Sequence, residues 1–342
     1  MSFSITDGLT FDDVLLQPKY SDVVSRSEIN LTVNLGPKRI MHPIIPANMK
    51  SIIGLEMARE ILDNSGLAIL HRFMPIEKQL NIVEDIIDNF GLKASFAVSV
   101  GIKDDDRENL YKFRNVGVDM VCVDIAHGDS KNSIDMVKWI KKEFPYMFII
   151  AGNVATGDGA ERLWKAGADV VKVGIGPGSL CTTRIETGNG IPQLTALIDV
   201  FQKRIDTSRS IKRSMYIIAD GGLKNSGDCV KALCFADMVM CGNMFASCEE
   251  SSGKTMDIDG ICYKEYAGSS THKANHIEGV SALVPCKGKY KDILGKILEG
   301  VRSGLSYQGA HNLMELKKDP QFVRITNSGL VESHPHDVRV IK

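Results

Sequence analysis

A cysteine followed at once by two hydroxyls and an arginine, Cys181-Thr182-Thr183-Arg184, ends a stretch with glycines at 174, 176 and 178 and a proline at 177. Glycine removes the Cβ and tolerates positive φ, so such a segment can turn sharply and aim backbone carbonyls or amides at an ion or a substrate. A thiol displayed there suits nucleophilic chemistry, because sulfur is both a strong nucleophile and a competent leaving group. Taken alone, the stretch fits equally well a surface turn holding an inert thiol. A second set of residues has a different character. Asp220-Gly221-Gly222 and Gly242-Asn243 each close an apolar run, the pattern of an anion site made of backbone N–H groups, with a carboxylate left to hold a ribose diol. A ribose phosphate opposite a reactive cysteine leaves the base of a nucleotide as the reacting part.

Eight apolar, β-rich runs have to position these groups: residues 43–48, 66–73, 94–101, 119–128, 147–154, 168–176, 215–222 and 237–246. Between them lie amphipathic stretches such as EMAREILDNSG, NSIDMVKWIKKEF and DGAERLWKAG, with apolar residues three and four apart. Continuous apolar runs alternating with helices indicate parallel strands buried on both faces. Eight such units predict an α/β protein of the (β/α)8 TIM-barrel class, whose active site lies at the C-terminal ends of the strands. The polar residues fall there: Asn48, His71, Arg72, Ser99, Asp124, His127, Asn153, Lys172 and Asp220. The wide interval between the sixth and seventh runs is the cysteine stretch. The expected organisation is one catalytic barrel domain over 1–342. It has a lead-in at 1–42 covering one end, a hairpin turning at Asp259-Gly260 and then a loop within 247–292, and a tail at 320–342.

Composition narrows the partners. The 342 residues are 44% hydrophobic and 24% charged with a formal net charge of −1, and no block of like charge suggests nucleic acid or a membrane surface, so a small molecule is expected. No apolar run reaches the roughly 18 residues of a membrane span, and the start lacks a signal-peptide pattern, which makes the cytoplasm the expected location. Eight cysteines show no CxxC spacing, and those in apolar runs, such as Cys122 and Cys241, read as buried reduced thiols. His334 and His336, two apart in the tail, read as a packing or subunit contact because no further ligand clusters with them.

GIGPGSLCTTRIETGNGIPQL, together with FDDVLLQPKYSDVVSRSE, DIAHGDS, AGNVATGDGAERLWKAGAD, ADGG and SYQGAH, resembles the IMP dehydrogenase and GMP reductase superfamily over nearly the whole chain. The resemblance implies a homotetrameric barrel enzyme that binds a purine nucleoside monophosphate, GMP or IMP, and joins its cysteine covalently to purine C2. Two activities share that chemistry. Reductive deamination of GMP to IMP and ammonia with NADPH is favoured by the absence of CBS domains after the second unit. PANM at 46–49, AGNV at 151–154 and a short segment, SSTHKANHI, that lacks the dehydrogenase's arginine and tyrosine favour it too. Oxidation of IMP to XMP with NAD is favoured by the tail ESHPH, by His127 in DIAHG, and by Asn275 where many reductases carry arginine. A nucleotide-binding regulator without catalysis is the third reading.

The resemblance also assigns residues. Cys181 is the nucleophile, and Thr183 with Glu278 forms a proton-relay dyad. Ser179, Asp220, Gly221, Gly222, Gly242, Asn243, Gly268, Ser269 and Ser270 hold the nucleotide. Asp124, Ile125, Ala126, Ile175 and Gly176 face the nicotinamide, while Ser25, Arg26, Arg72, Tyr307, Gln308, Gly309 and Ala310 match the outer cofactor positions. Arg26 and Arg72 would suit a 2′-phosphate and hence NADPH. Carbonyls of Gly176, Gly178 and Cys181, with Arg184 beside them, match a potassium cage.

Overall fold

The computed structural model describes residues 5–268 and 279–338. Eight parallel strands form the centre: Ile44–Pro46, Ala68–Leu70, Phe96–Val100, Met120–Asp124, Phe148–Val154, Val170–Val173, Tyr216–Asp220 and Met238–Cys241. Each of the eight predicted runs supplies one. The ladder passes without interruption from the second strand round to the eighth and on to the first, where Val239 pairs with Ile44. The first and second strands then lie side by side, and a nearly closed (β/α)8 TIM barrel results.

The strands are rich in Val, Ile and Ala because both faces are covered, by the barrel interior on one side and by helices on the other. Each helix buries one stripe. Leu55–Asp63 turns Met57, Ala58, Ile61 and Leu62 inward, and Gly157–Ala166 does the same with Ala160, Leu163 and Trp164. Side-chain caps fix the starts of two of them: Thr156 accepts the Gly159 N–H before Gly157–Ala166, and Asn225 accepts the Asp228 N–H before Ser226–Leu233.

Part of the lead-in covers the N-terminal end of the barrel. A hairpin of Val33–Leu35 and Lys38–Ile40 lies under the strand starts, with the Gly36 N–H donating to Tyr216 Oη at 3.2 Å. Lys38 reaches across to the Ala94 carbonyl at 3.0 Å and to Asp119 at 2.9 Å. Two further aspartates stitch neighbouring strand starts together. Asp169 accepts the Ile149 N–H and Asp237 accepts the Ile217 N–H, each at 2.8 Å. Upstream, residues 17–30 run along the end of the long helix Tyr290–Tyr307, through bonds from Lys19 N to the Tyr307 carbonyl and from Gln308 Nε2 to the Gln17 carbonyl.

The segment after the eighth strand differs in part from expectation. The hairpin Thr255–Ile258/Ile261–Ala267 is present, and it turns with positive φ at both Asp259 (53°) and Gly260 (76°), the pairing that suits the twist of a two-residue hairpin. In place of a simple loop, Ser281–Pro285 returns as a third strand against Ile261–Ala267. Its alternating exposure is the period-2 signature of a half-covered strand. That register sets Cys262 opposite Cys286, and the two are joined in a disulfide. Cys122 and Cys241 are buried and free, as read from the sequence. His334 and His336 are exposed, and their Nδ1 atoms bond to the backbone carbonyls of Leu330 and His334, at 2.9 Å each.

Candidate active site

The mouth of the barrel is floored by charge. Lys172, in the sixth strand, is only 2% exposed, and its Nζ lies 3.0 Å from Asp124 Oδ1 at the end of the fourth strand and 3.0 Å from Asp220 Oδ2 at the end of the seventh. Burial alone pushes the ammonium's pKa down, but the two carboxylates outweigh it and hold Lys172 charged, well above the ordinary lysine range. Asn153 Nδ2 donates to the same Asp220 oxygen at 2.9 Å and to the Gly174 carbonyl at 2.8 Å. Gln193 Nε2 donates to the Val173 carbonyl at 2.7 Å and to that of Asp220 at 3.2 Å. The sixth and seventh strand ends are thereby locked together. Gly174 has to be glycine for this: at φ +150° an added Cβ would stand 2.0 Å from the Asp220 carbonyl oxygen.

Above the floor rises the cysteine loop. Cys181 is half-buried, its N–H donates to the Gly178 carbonyl at 3.0 Å, and its thiol donates to Thr183 Oγ1 at 3.1 Å. Thr183 begins a short helix, Thr183–Thr187. Arg184 braces the loop from inside, with Nη2 2.6 Å from the Ile191 carbonyl and Nε 3.3 Å from that of Ile175. The loop is also tied to the three-stranded sheet, where the Val280 N–H meets the Leu180 carbonyl at 3.1 Å. Four other thiols are built for a different life. Burial pushes Cys122, Cys234 and Cys248 up to about 12, and a hydrogen bond with Cys229, then burial, raises Cys241.

Next to the loop, Gly221 and Gly222 follow Asp220 with positive φ and pack under Pro177. Gly242 starts the short helix Asn243–Ala246, and a Cβ on it would lie 2.4 Å from the Tyr266 hydroxyl. Tyr266 is buried, and burial first, then Asp220, raises its pKa. Gly268 follows directly on the Ile261–Ala267 strand, whose Tyr266 packs against Gly242. Ser179 is exposed on the rim. Ser269, Ser270 and Glu278, along with Asn275, lie outside the described residues.

On the opposite side, the ends of the fourth and fifth strands are bonded together: the Ile125 N–H donates to the Gly152 carbonyl at 2.9 Å and the Asn153 N–H to that of Ile125 at 2.7 Å. Asp124 and Ile125 are half-buried there, and Ala126 and His127 are exposed. Arg72 donates through Nε to the Asp124 carbonyl at 3.1 Å and stacks on Phe73, which sets it beside Asp124. Ser25 and Arg26 share a separate neighbourhood with Tyr307, Gln308, Gly309 and Ala310, brought together by the packing of residues 17–30 on the long helix. Ile175 and Gly176 line the base of the cysteine loop.

Sequence reasoning gave no role to Lys172, Asn153, Gln193 or Tyr266. A lysine inside the otherwise apolar ADVVKVGIG was the available signal for the first, since a buried charge needs partners. Among the described residues no helix is long and apolar enough to cross a membrane, and no three His, Cys, Asp or Glu side chains gather as a metal site.

The site's residues can therefore hold an anion and a diol, present a thiol bonded to a hydroxyl, and offer a second carboxylate to another ligand. Residues 8–336 match the family profile described as IMP dehydrogenase / GMP reductase domain. A GMP reductase of Staphylococcus epidermidis is 39% identical over 327 residues, covering 93% of this chain and 96% of that protein. A GMP reductase of an Acidovorax species is 37% identical, covering 90% and 93%. An inosine-5′-monophosphate dehydrogenase of Nitrosopumilus maritimus is 32% identical over 475 residues, covering 97% and 98%.

Proposed function

Because the chain belongs to the IMP dehydrogenase / GMP reductase family, we propose that it is a GMP reductase, converting GMP, NADPH and two protons to IMP, ammonium and NADP+. The observation that carries the reading is the agreement in extent with the reductases. Their alignment fits within 327 positions, whereas that with the Nitrosopumilus dehydrogenase needs 475 against a chain of 342, so that enzyme has segments without counterpart here.

In this reading the ribose diol rests on Asp220, and the phosphate rests on backbone N–H groups around Gly221, Gly222, Gly242 and Asn243, with Ser179, Gly268, Ser269 and Ser270 completing the pocket. Cys181 adds to C2 of the purine. The bond from C2 to the amino nitrogen breaks, ammonia departs with the proton it needs, and the base stays joined to sulfur as a thioimidate. The proton comes through Thr183, whose hydroxyl already bonds the thiol at 3.1 Å, backed by the carboxyl of Glu278, since a hydroxyl alone is a poor acid. NADPH, when bound, supplies the hydride equivalent that takes the amino group's place at C2. Cys181 then leaves as thiolate and IMP is released.

The residues present fit such a cofactor. Asp124 has only one oxygen engaged by Lys172 and is half-exposed toward the mouth, which suits a hydroxyl or amide donor beside Ile125 and Ala126. Ser25, Arg26 and Tyr307 to Ala310 suit its far end, and Arg72 adds positive charge beside Asp124. A monovalent cation, potassium, is assigned to the carbonyls of Gly176, Gly178 and Cys181 in the loop braced by Arg184, because neutral oxygens suit a large, weakly hydrated ion. The enzyme is assigned as a homotetramer.

The purified protein should oxidise NADPH in the presence of GMP, with IMP and ammonium formed in equal amounts, and potassium should raise the rate. Reduction of NAD with IMP, without turnover of GMP, would make it the dehydrogenase, the activity carried by the Nitrosopumilus relative's name. Binding of GMP with neither reaction would make it a regulator.

A further inference from the structure

Among the described residues, Lys172 is the cation paired with both of the carboxylates that, on the reading above, serve different ligands. Asp220 faces the nucleotide's ribose and Asp124 the nicotinamide end of the dinucleotide. Each gives a single oxygen to the ammonium at 3.0 Å, which leaves the other free. The lysine side chain is buried in the barrel interior, only 2% exposed, and packs beside Gly152, where an added Cβ would stand 2.8 Å from Lys172 Cβ. Cys122 lies below it, and Cys241 and Tyr266 face Asp220 from the eighth strand and the three-stranded sheet. The neutral imidazole of His71 faces Asp124, and Arg72 spends its Nε on the Asp124 backbone carbonyl.

We infer that Lys172 is a positioning residue that spans the two ligand subsites, holding Asp220 and Asp124 as oriented acceptors and coupling the binding of the nucleotide to that of the dinucleotide. The physical reason is the sharing. One buried ammonium, 3.0 Å from an oxygen of each carboxylate, sets the orientation of both, and without it neither carboxylate has the charged donor that aims its second oxygen at a ligand. Because one ammonium serves both, a ligand that draws on one carboxylate changes how strongly the ammonium holds the other, which is a coupling between sites in the thermodynamic sense.

The inference rests on the proposed function, and the test separates the two. Calorimetric titrations on the full chain would measure GMP with and without NADP+, and IMP with and without NAD+, for wild type, Lys172→Met, Lys172→Arg and Asp124→Asn. Wild type is expected to bind the second nucleotide with an affinity altered at least threefold by the first. Lys172→Met should weaken both nucleotides at least tenfold and bring that factor to one. Lys172→Arg should restore most of each effect. Asp124→Asn keeps the lysine, so it serves if Lys172→Met does not fold, and it should weaken GMP or IMP at least threefold although it is placed on the dinucleotide side. If wild type binds only the IMP and NAD+ pair, the reductase reading fails while the coupling is still measured on that pair. Folded Lys172→Met with both affinities within twofold of wild type, or Asp124→Asn with unchanged nucleotide affinity, overturns the inference. So does wild type that binds neither pair.

Discussion

At the N-terminal end of the barrel Asp237 meets Arg204 at 2.7 Å, Lys317 and the Ile217 N–H, whereas at the C-terminal end Asp124 and Asp220 share the one ammonium of Lys172. Asp169 repeats the first pattern, with Arg213 at 3.0 Å, Lys141 at 3.4 Å and the Ile149 N–H. Below, both oxygens of each of these two carboxylates are engaged by two cations and a backbone donor, and their work is to hold strand starts in register. Above, two carboxylates share one ammonium, each through a single oxygen, and acceptor capacity remains for something that is not protein. One end is saturated and structural, and the other is deliberately under-filled, which is what a binding site requires. The cysteines divide the same way. Those inside the barrel wall are pushed up to about 12 by burial, as Cys122 is, and Cys181 alone among the free thiols is half-exposed.

If that division is right, substitutions at the two ends should separate activity from stability. The largest effect is expected at the top. Cys181→Ala should reduce turnover of GMP by roughly a thousandfold or more while leaving the melting temperature within a degree or two, because the thiol makes one side-chain hydrogen bond and is not packed in the core. The reverse is expected at the bottom. Asp237→Ala leaves Arg204 and Lys317 facing each other and should lower stability by about 3 kcal/mol, read as a lower urea midpoint, with turnover per folded molecule unchanged.

Two histidines allow the comparison to be made by pH. His42 lies before the first strand and His71 at the end of the second, one at each end of the barrel, and burial holds both down at about 4 against an ordinary 6.5. The unfolded chain takes up protons below 6.5 while the folded one does not, so stability should fall as pH drops from 6.5 toward 4. The loss is roughly 3 kcal/mol per histidine at the acid end of that window. His42→Asn and His71→Asn should each remove about one proton from the slope of urea midpoint against pH. Asp237 acts in a lower window. Burial raises its pKa, but Lys317 and Arg204 more than offset this and depress it below 3.8. Its stabilisation is therefore intact above that value, is lost as pH falls through the depressed pKa, and should be missing from the acid unfolding curve of Asp237→Ala. The smallest effect belongs to the exposed ion pairs such as Lys131 with Asp135, whose removal should change stability by less than about 0.5 kcal/mol.

The barrel was legible because its strands advertise themselves. Runs such as MVCV and FIIA, at the starts of the fourth and fifth strands, are apolar throughout, and each falls between helices whose stripes repeat at three and four. The cysteine loop was legible from its glycines, and the hairpin from Asp259-Gly260. What the chain concealed are pairings across long separations. Ser281–Pro285 is too short and too mixed to declare itself a strand until it lies against Ile261–Ala267, and the Cys262–Cys286 bond follows from that register. Asp119, Asp169 and Asp237 look alike in sequence, yet only the fold reveals that Asp169 and Asp237 bind the strand next door while Asp119 takes the hairpin's Lys38. Lys172 stood out as a charge in an apolar run. Its two partners, 48 residues away in each direction, did not.

The measurement that tests the central claim most directly is the mass of the Cys181 peptide from mixtures of the protein, GMP and NADPH quenched in acid during turnover and digested. The account predicts a fraction of that peptide heavier by GMP less ammonia, with the other cysteine peptides unmodified. Continued formation of IMP with Cys181 unmodified, or with the adduct on a different residue, would contradict it.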